Sequence, residues 1–310
     1  MRPTIRWHGV MPAITTPFRP EGTVDHERAA AQVVRMIDAG CTAIAPHGSL
    51  GEGSTLTFEE KCELQRTCVR AAAGRVPIIP GIAALSTREA VDLAQAAREN
   101  GCSGLMVLPP YQYSTDWREM RAHVGDVMRA TELPCLLYNN PVAYKTDFVP
   151  EQVVELAAEH ANLEAVKESS TDVRRVTAIR ALLGSRVALG VGVDDALVEG
   201  VAAGATFWIA GLVNAFPWES VRLLELAKLA ADEGGPVAEL DELYAWFLPL
   251  LRLDTVPKFV QLIKLAEEAV GVGSERVRPP RLILTGSERT QALALIQRAL
   301  DTRPRMGPIG

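Results

Sequence analysis

The chain predicts a (β/α)8 TIM barrel with a C-terminal helical extension, and three observations predict it. Eight short apolar, strand-like runs alternate with amphipathic helical patterns at a period of roughly 25–30 residues. No hairpin signal interrupts the alternation. The first strand-to-helix turn, Thr15-Thr16-Pro17-Phe18, lacks the GxGxxG that an open doubly wound sheet would bring.

The candidate strands are Gly9–Thr15, Ala43–His47, Val76–Pro80, Gly104–Leu108, Cys135–Tyr138, Leu163–Lys167, Val187–Val191 and Thr206–Ala210. Helical patterns fill the intervals. Asp25–Ala39 opens on an N-cap aspartate and closes at Gly40. Thr57–Ala73 begins with a capping box, Thr57 with Glu60, and Ser86–Asn100 with another, Ser86 with Glu89. After the eighth unit the chain reads as helices, with Leu282–Leu284 the one remaining strand candidate. The expected division is a barrel catalytic domain over 1–232 and a helical region over 233–310 packed on it. The tail Arg303–Gly310 reads as frayed.

Composition narrows the function. The 310 residues are 48% hydrophobic, enough for a large core, and the net charge is −6. With no dense Lys/Arg stripe, a nucleic-acid surface is not expected. No apolar stretch is long enough to span a bilayer, and the N-terminus lacks a signal-peptide core, so the expectation is a cytoplasmic protein. The cysteines, Cys41, Cys62, Cys68, Cys102 and Cys135, form no CxxC pair and read as free buried thiols. The five histidines show neither HxH nor HExxH spacing, so no metal site is expected.

The chemistry concentrates at strand ends. The run Leu163–Val166 ends on Lys167, and Pro134–Leu137 ends on Tyr138. An amine and a phenol at the C-terminal ends of neighbouring barrel strands can make and break a Schiff base. The second strand ends in Pro46-His47-Gly48-Ser49-Leu50-Gly51-Glu52-Gly53-Ser54, a Gly-x-x-Gly loop whose free N–H groups suit a carboxylate or phosphate. Other polar residues have plainer readings. Glu52 orients the loop or a subunit contact, Asp194-Asp195 caps the next helix, and His47 packs. Trp208 is barrel wall or core, and Arg174-Arg175 is a solvated helix face.

Three stretches carry a resemblance: Gly48-Ser49-Leu50-Gly51-Glu52, Tyr138-Asn139-Asn140-Pro141 and Ala165-Val166-Lys167-Glu168-Ser169. In order and spacing they resemble the signatures of the dihydrodipicolinate synthase / N-acetylneuraminate lyase family, as does the opening Gly9–Phe18. The resemblance implies a TIM barrel, a 2-oxo-acid substrate, a covalent lysine Schiff base without other cofactor, and a homotetramer or homodimer. It places Lys167 as the Schiff-base lysine, Tyr138 as the acid/base tyrosine and Ser49 as the hydroxyl relaying protons to it. It implies that Gly48, Ser49, Leu50, Gly192, Ile209, Gln112 and Tyr113 bind substrate, the Ser49 and Leu50 amides cradling a carboxylate.

Departures from the family pattern point away from lysine biosynthesis. Ala143 stands where an arginine would grip a second substrate's carboxylate. Gln112 breaks the tyrosine pair whose second member crosses to a neighbouring subunit, with Tyr113 a possible substitute. Leu50 replaces a common hydroxyl residue. Several stretches are similar to the deaminases acting on 1-pyrroline-4-hydroxy-2-carboxylate: Lys167–Arg175, Gly192–Asp195, Ala210–Pro217, Leu253–Thr255 and Gly273–Arg278. The resemblance therefore implies a cyclic imino-acid substrate, deaminated and dehydrated to 2-oxoglutarate semialdehyde. The alternatives are an aldolase or dehydratase of 2-keto-3-deoxy sugar acids, a dihydrodipicolinate synthase, and a 2-oxo-acid-binding protein without turnover.

Overall fold

The computed structural model describes residues 5–110, 116–233 and 237–304. Seven parallel strands form one sheet in the order β1-β7-β6-β5-β4-β3-β2. They are β1 Gly9–Val10, β2 Gly81–Ile82, β3 Leu105–Val107, β4 Cys135–Asn139, β5 Leu163–Glu168, β6 Ala188–Val191 and β7 Phe207–Trp208. The expected second strand, Ala43–His47, is present as single bridges rather than a ladder, Ala13 to Ala45 and Ile44 to Ile78. It nevertheless closes the cylinder. Thr42 and Ala45 donate to Val10 and Pro12 on one side, while Ile79 and Gly81 donate to Ile44 and Pro46 on the other.

Proline explains why the ladder is broken there. Pro12, Pro46, Pro77 and Pro80 have no N–H to give, so individual rungs are missing along these strands. For the same reason the third strand registers at Gly81–Ile82 instead of the expected Val76–Pro80.

The barrel helices follow the caps written in the sequence. Asp25 accepts from the Arg28 N–H ahead of His26–Asp38. Thr57 and Glu60 form the reciprocal box ahead of Phe58–Ala72. At Thr87–Glu99 only half of the box exists: Ser86 accepts from the Glu89 N–H, but the Glu89 carboxylate turns to Lys61 at 3.8 Å. Helices Pro217–Glu233, Ala238–Leu251, Phe259–Ala269 and Gly286–Asp301 complete the chain, and Leu282–Leu284 is not a strand. No helix among the described residues is long and apolar enough to cross a membrane. All five cysteines are free and buried, and burial pushes the Cys41, Cys68 and Cys135 thiols up to about 12.

Candidate active site

Strand register builds the site. Tyr138 on β4 lies directly opposite Lys167 on β5. In a parallel pair, opposite residues share a face, so both side chains project inward at the carboxyl end of the sheet. The Lys167 ammonium nitrogen sits 3.8 Å from the centre of the Tyr138 ring, and both residues are buried. Next along β4, the Asn139 side chain points away from this face. Its amide donates to Asp147, the Phe148 carbonyl and Glu168, and its oxygen accepts from the Phe148 N–H. Glu168 in turn accepts from the Ser170 N–H at 2.7 Å. Burial pushes its carboxyl upward.

Glycine makes room for the lysine. A Cβ on Gly192 would lie 2.2 Å from Lys167 Cε and 2.1 Å from Ser169 Oγ. Both are far inside contact distance, so the lysine stem occupies space that only a glycine leaves. Ser169 Oγ is buried and has no hydrogen-bond partner among the described residues. An orphan hydroxyl two residues beyond Lys167 on the same face is a ready contact for a ligand's polar atom. Ile209 is buried and donates its N–H to Val191 at 2.9 Å, forming wall.

The Ser49 loop is drawn tight. His47 and Glu52 both adopt positive φ, at 42° and 53°. A Cβ on Gly53 would fall 2.1 Å from the His47 carbonyl oxygen, so glycine is required at that turn. Gly48 is held against Gly81 and Met106. Among the described residues neither the Ser49 nor the Leu50 N–H donates a hydrogen bond. These amides are therefore available to an anion. Leu50 itself is buried.

The Ser49 hydroxyl does not meet Tyr138, the partner expected for it. It is hydrogen-bonded to the Tyr144 hydroxyl. Tyr138 instead accepts from Asn140 Nδ2 at 2.9 Å, and the rings of Tyr138 and Tyr144 meet edge to face at 5.8 Å and 86°. Tyr144 is the functional candidate that sequence reasoning overlooked. The available signal was Asn140-Pro141, an N-cap followed by proline at the first helical position, which starts the short helix Pro141–Tyr144. Gln112 and Tyr113 lie outside the described residues.

Asp194 corrects another expectation. It caps no helix; the helix Leu197–Ala202 has no side-chain cap. Its carboxylate is fully buried and accepts from Trp208 Nε1 at 2.9 Å, the Gly211 N–H at 3.1 Å and the Leu212 N–H at 2.7 Å. Trp208 is thus core and donor at once. Burial still pushes Asp194 up to about 6, against those donors and the charge of Lys167. Asp254 comes in from the C-terminal helices and packs over the same glycine, its Oδ1 2.1 Å from where a Gly211 Cβ would be. Burial and then the charge of Asp194 hold it well above the carboxylate range, with Lys167 opposing. Two carboxylates in one dry place resist being charged together.

The remaining readings divide. Glu52 is structural, in a buried 2.6 Å ion pair with Lys264. His47 packs in the core, bonded to Gln65 Nε2 at 3.1 Å, and burial followed by the charge of Lys61 pushes it down to about 3. Arg174 pairs with Asp172 on the surface, but Arg175 is no solvated residue. It is only 22% exposed and grips Asp147 with two bonds of 2.6 and 2.7 Å. Among the described residues no group of three or more His, Cys, Asp or Glu side chains could hold a metal ion.

A barrel with a buried lysine, a phenol beneath its nitrogen and amides free to donate beside them defines the class of Schiff-base-forming aldolase-type enzymes. The chain belongs to the dihydrodipicolinate synthetase family, whose model matches residues 6–299. Enzymes of this family work through a lysine Schiff base and no metal cofactor. The chain is 30% identical over 293 residues to the 4-hydroxy-tetrahydrodipicolinate synthase of Geotalea daltonii, covering 93% of this chain and 97% of the relative. It is 32% identical over 284 residues to the enzyme of that name from Agrobacterium fabrum, covering 92% and 95%. Among solved structures, a dihydrodipicolinate synthase of Bacillus anthracis superposes with a TM-score of 0.88 at 28% identity, covering 97% and 100%. A prophage protein of the same family from E. coli K12, solved in complex with pyruvate, superposes with a TM-score of 0.87 at 27% identity, covering 95% and 99%.

Proposed function

We propose that Lys167 forms a Schiff base with a 2-oxo-acid-type substrate and that this substrate is 1-pyrroline-4-hydroxy-2-carboxylate. The observation that carries the first half is the register of Tyr138 opposite Lys167, with the amine over the ring. The substrate carboxylate sits on the Ser49 and Leu50 amides. The neutral amine is the form that attacks carbon.

The reaction balances as follows. The Lys167 amine adds to the ring imine carbon; the ring C–N bond breaks, leaving a ketimine and a free primary amine. A proton leaves the carbon next to the iminium and the 4-hydroxyl departs as water. Tautomerisation carries the new double bond to the amine-bearing carbon as an imine. One water displaces ammonia there and a second hydrolyses the lysine adduct. The net change is one water in, with ammonia and 2-oxoglutarate semialdehyde out. Tyr138 shuttles the protons at the adduct. The single negative charge that the Asp194–Asp254 pair can carry favours the cationic iminium. Ser169 Oγ, buried and unpartnered, supplies a contact for the 4-hydroxyl.

The substrate half rests on the deaminase-like stretches and on Ala143, which cannot make the bidentate contact an arginine gives a second carboxylate. A cytoplasmic homotetramer or homodimer belongs to the same proposal, as does the division into a catalytic barrel, 1–232, and a packed helical region, 233–310. The names of the relatives favour a second reading, 4-hydroxy-tetrahydrodipicolinate synthase. One assay separates them. The purified protein should release ammonia from the pyrroline, with a product that an aldehyde dehydrogenase oxidises to 2-oxoglutarate. Faster condensation of pyruvate with aspartate semialdehyde would establish the second reading. Faster pyruvate release from 2-keto-3-deoxy sugar acids would establish an aldolase.

A further inference from the structure

The geometry points to Tyr144 as the residue that acts on the reaction through Ser49, so that the proton path is built within one chain. The Tyr144 hydroxyl is hydrogen-bonded to the Ser49 hydroxyl. A serine hydroxyl alone is too weak an acid to give up a proton near neutral pH. A phenol behind it, with an ordinary pKa of about 10, brings the pair within reach. Ser49 can then hand its proton to a developing alkoxide and take the phenol's in return, leaving a phenolate that takes up the proton the lysine nitrogen loses as the adduct forms.

Asn140 fixes this arrangement. Its Oδ1 accepts from the Ala143 N–H at 3.0 Å, capping the helix that presents Tyr144. Its Nδ2 donates to the Tyr138 hydroxyl at 2.9 Å. One side chain therefore sets both phenols, and the edge-to-face contact at 5.8 Å holds their rings together. With an acceptor site on the Tyr138 oxygen filled by Asn140, its proton stays directed at the adduct. The second phenol is hydrogen-bonded to Ser49.

The inference rests on the Schiff-base reading of Lys167 but not on the identity of the natural substrate, so pyruvate serves as the probe. The rate of imine formation is followed by borohydride quenching and mass spectrometry in the unaltered protein, Tyr144→Phe, Ser49→Ala and the double variant. The Phe variant keeps the ring and its contact with Tyr138, and thermal melting confirms that each variant is folded. Each single change is expected to slow imine formation on the order of 10²-fold, without weakening pyruvate saturation in Tyr144→Phe. The double variant should be no slower than the slower single, because the two hydroxyls work as one unit. A folded Tyr144→Phe that reacts at the unaltered rate overturns the inference, as do effects that multiply in the double variant. No adduct in the unaltered protein would overturn the Schiff-base reading itself.

Discussion

Lys264, on the helix Phe259–Ala269, closes a 2.6 Å ion pair with Glu52, three residues beyond Ser49. Both side chains are almost wholly buried, at 2% and 0% exposure. The Arg278 N–H donates to the second Glu52 oxygen at 3.0 Å. The C-terminal helices therefore grip the loop that presents the Ser49 and Leu50 amides. Glu52 holds a positive φ that no glycine relieves, and this grip is what fixes it.

Removing one partner of such a pair strands a buried charge. Lys264→Met should destabilise the fold by about 3–5 kcal/mol. Adding Glu52→Gln should recover part of that loss, since the remaining charge is gone. Urea unfolding of the three proteins measures it. A Lys264→Met protein as stable as the unaltered one would show that the pair is not holding the loop.

Gly192→Ala tests the space around the lysine. The added methyl would overlap Lys167 Cε and Ser169 Oγ, at 2.2 and 2.1 Å. Lys167 must then leave its place over Tyr138. Turnover should fall by at least about 10²-fold, the usual scale for a misplaced reacting group. Circular dichroism should still report a folded barrel. Unchanged turnover would mean the lysine stem does not need this glycine.

Glu267 gives a pH signature. It is buried, accepts from Thr15 at 2.8 Å and Gln32 at 3.0 Å, and burial pushes its carboxyl up to about 7, against Thr15, Lys264, Arg35 and Gln32. A folded-state value above the ordinary one of 4.5 means that the folded protein holds the proton longer than the unfolded chain. This contribution to stability is complete below pH 4.5 and is lost as pH rises toward 7. The expected slope is about −1.4 kcal/mol per pH unit inside that window. Glu267→Gln mimics the protonated acid and should remove that part of the slope. Equal slopes for the two proteins between pH 5 and 7 would contradict the assignment.

Local signals carried much of the molecule. The caps at Asp25 and Thr57 depend only on neighbours in sequence, and both helices start where those residues place them. Lys167 and Tyr138 were legible because strand ends at one barrel face converge whatever the loops do. The misses are tertiary. Asp194 resembles an N-cap locally, yet its donors, Trp208, Gly211 and Leu212, come from the next strand and turn. Arg175 reads as surface until Asp147 is folded against it. Tyr144 is ninety-five positions from Ser49, and only the turn of the Pro141–Tyr144 helix brings the hydroxyls together. The prolines that erased the second strand's ladder were visible, but their effect on strand register was not.

Lys167 is proposed as the residue that becomes covalently bound to substrate. The most direct test is to mix the protein with pyruvate, reduce with borohydride, digest, and map the modified peptide by mass spectrometry. A single adduct is expected on the peptide containing Lys167, absent without pyruvate and absent in Lys167→Ala. An adduct on any other lysine, or none in a preparation that turns over substrate, would contradict it.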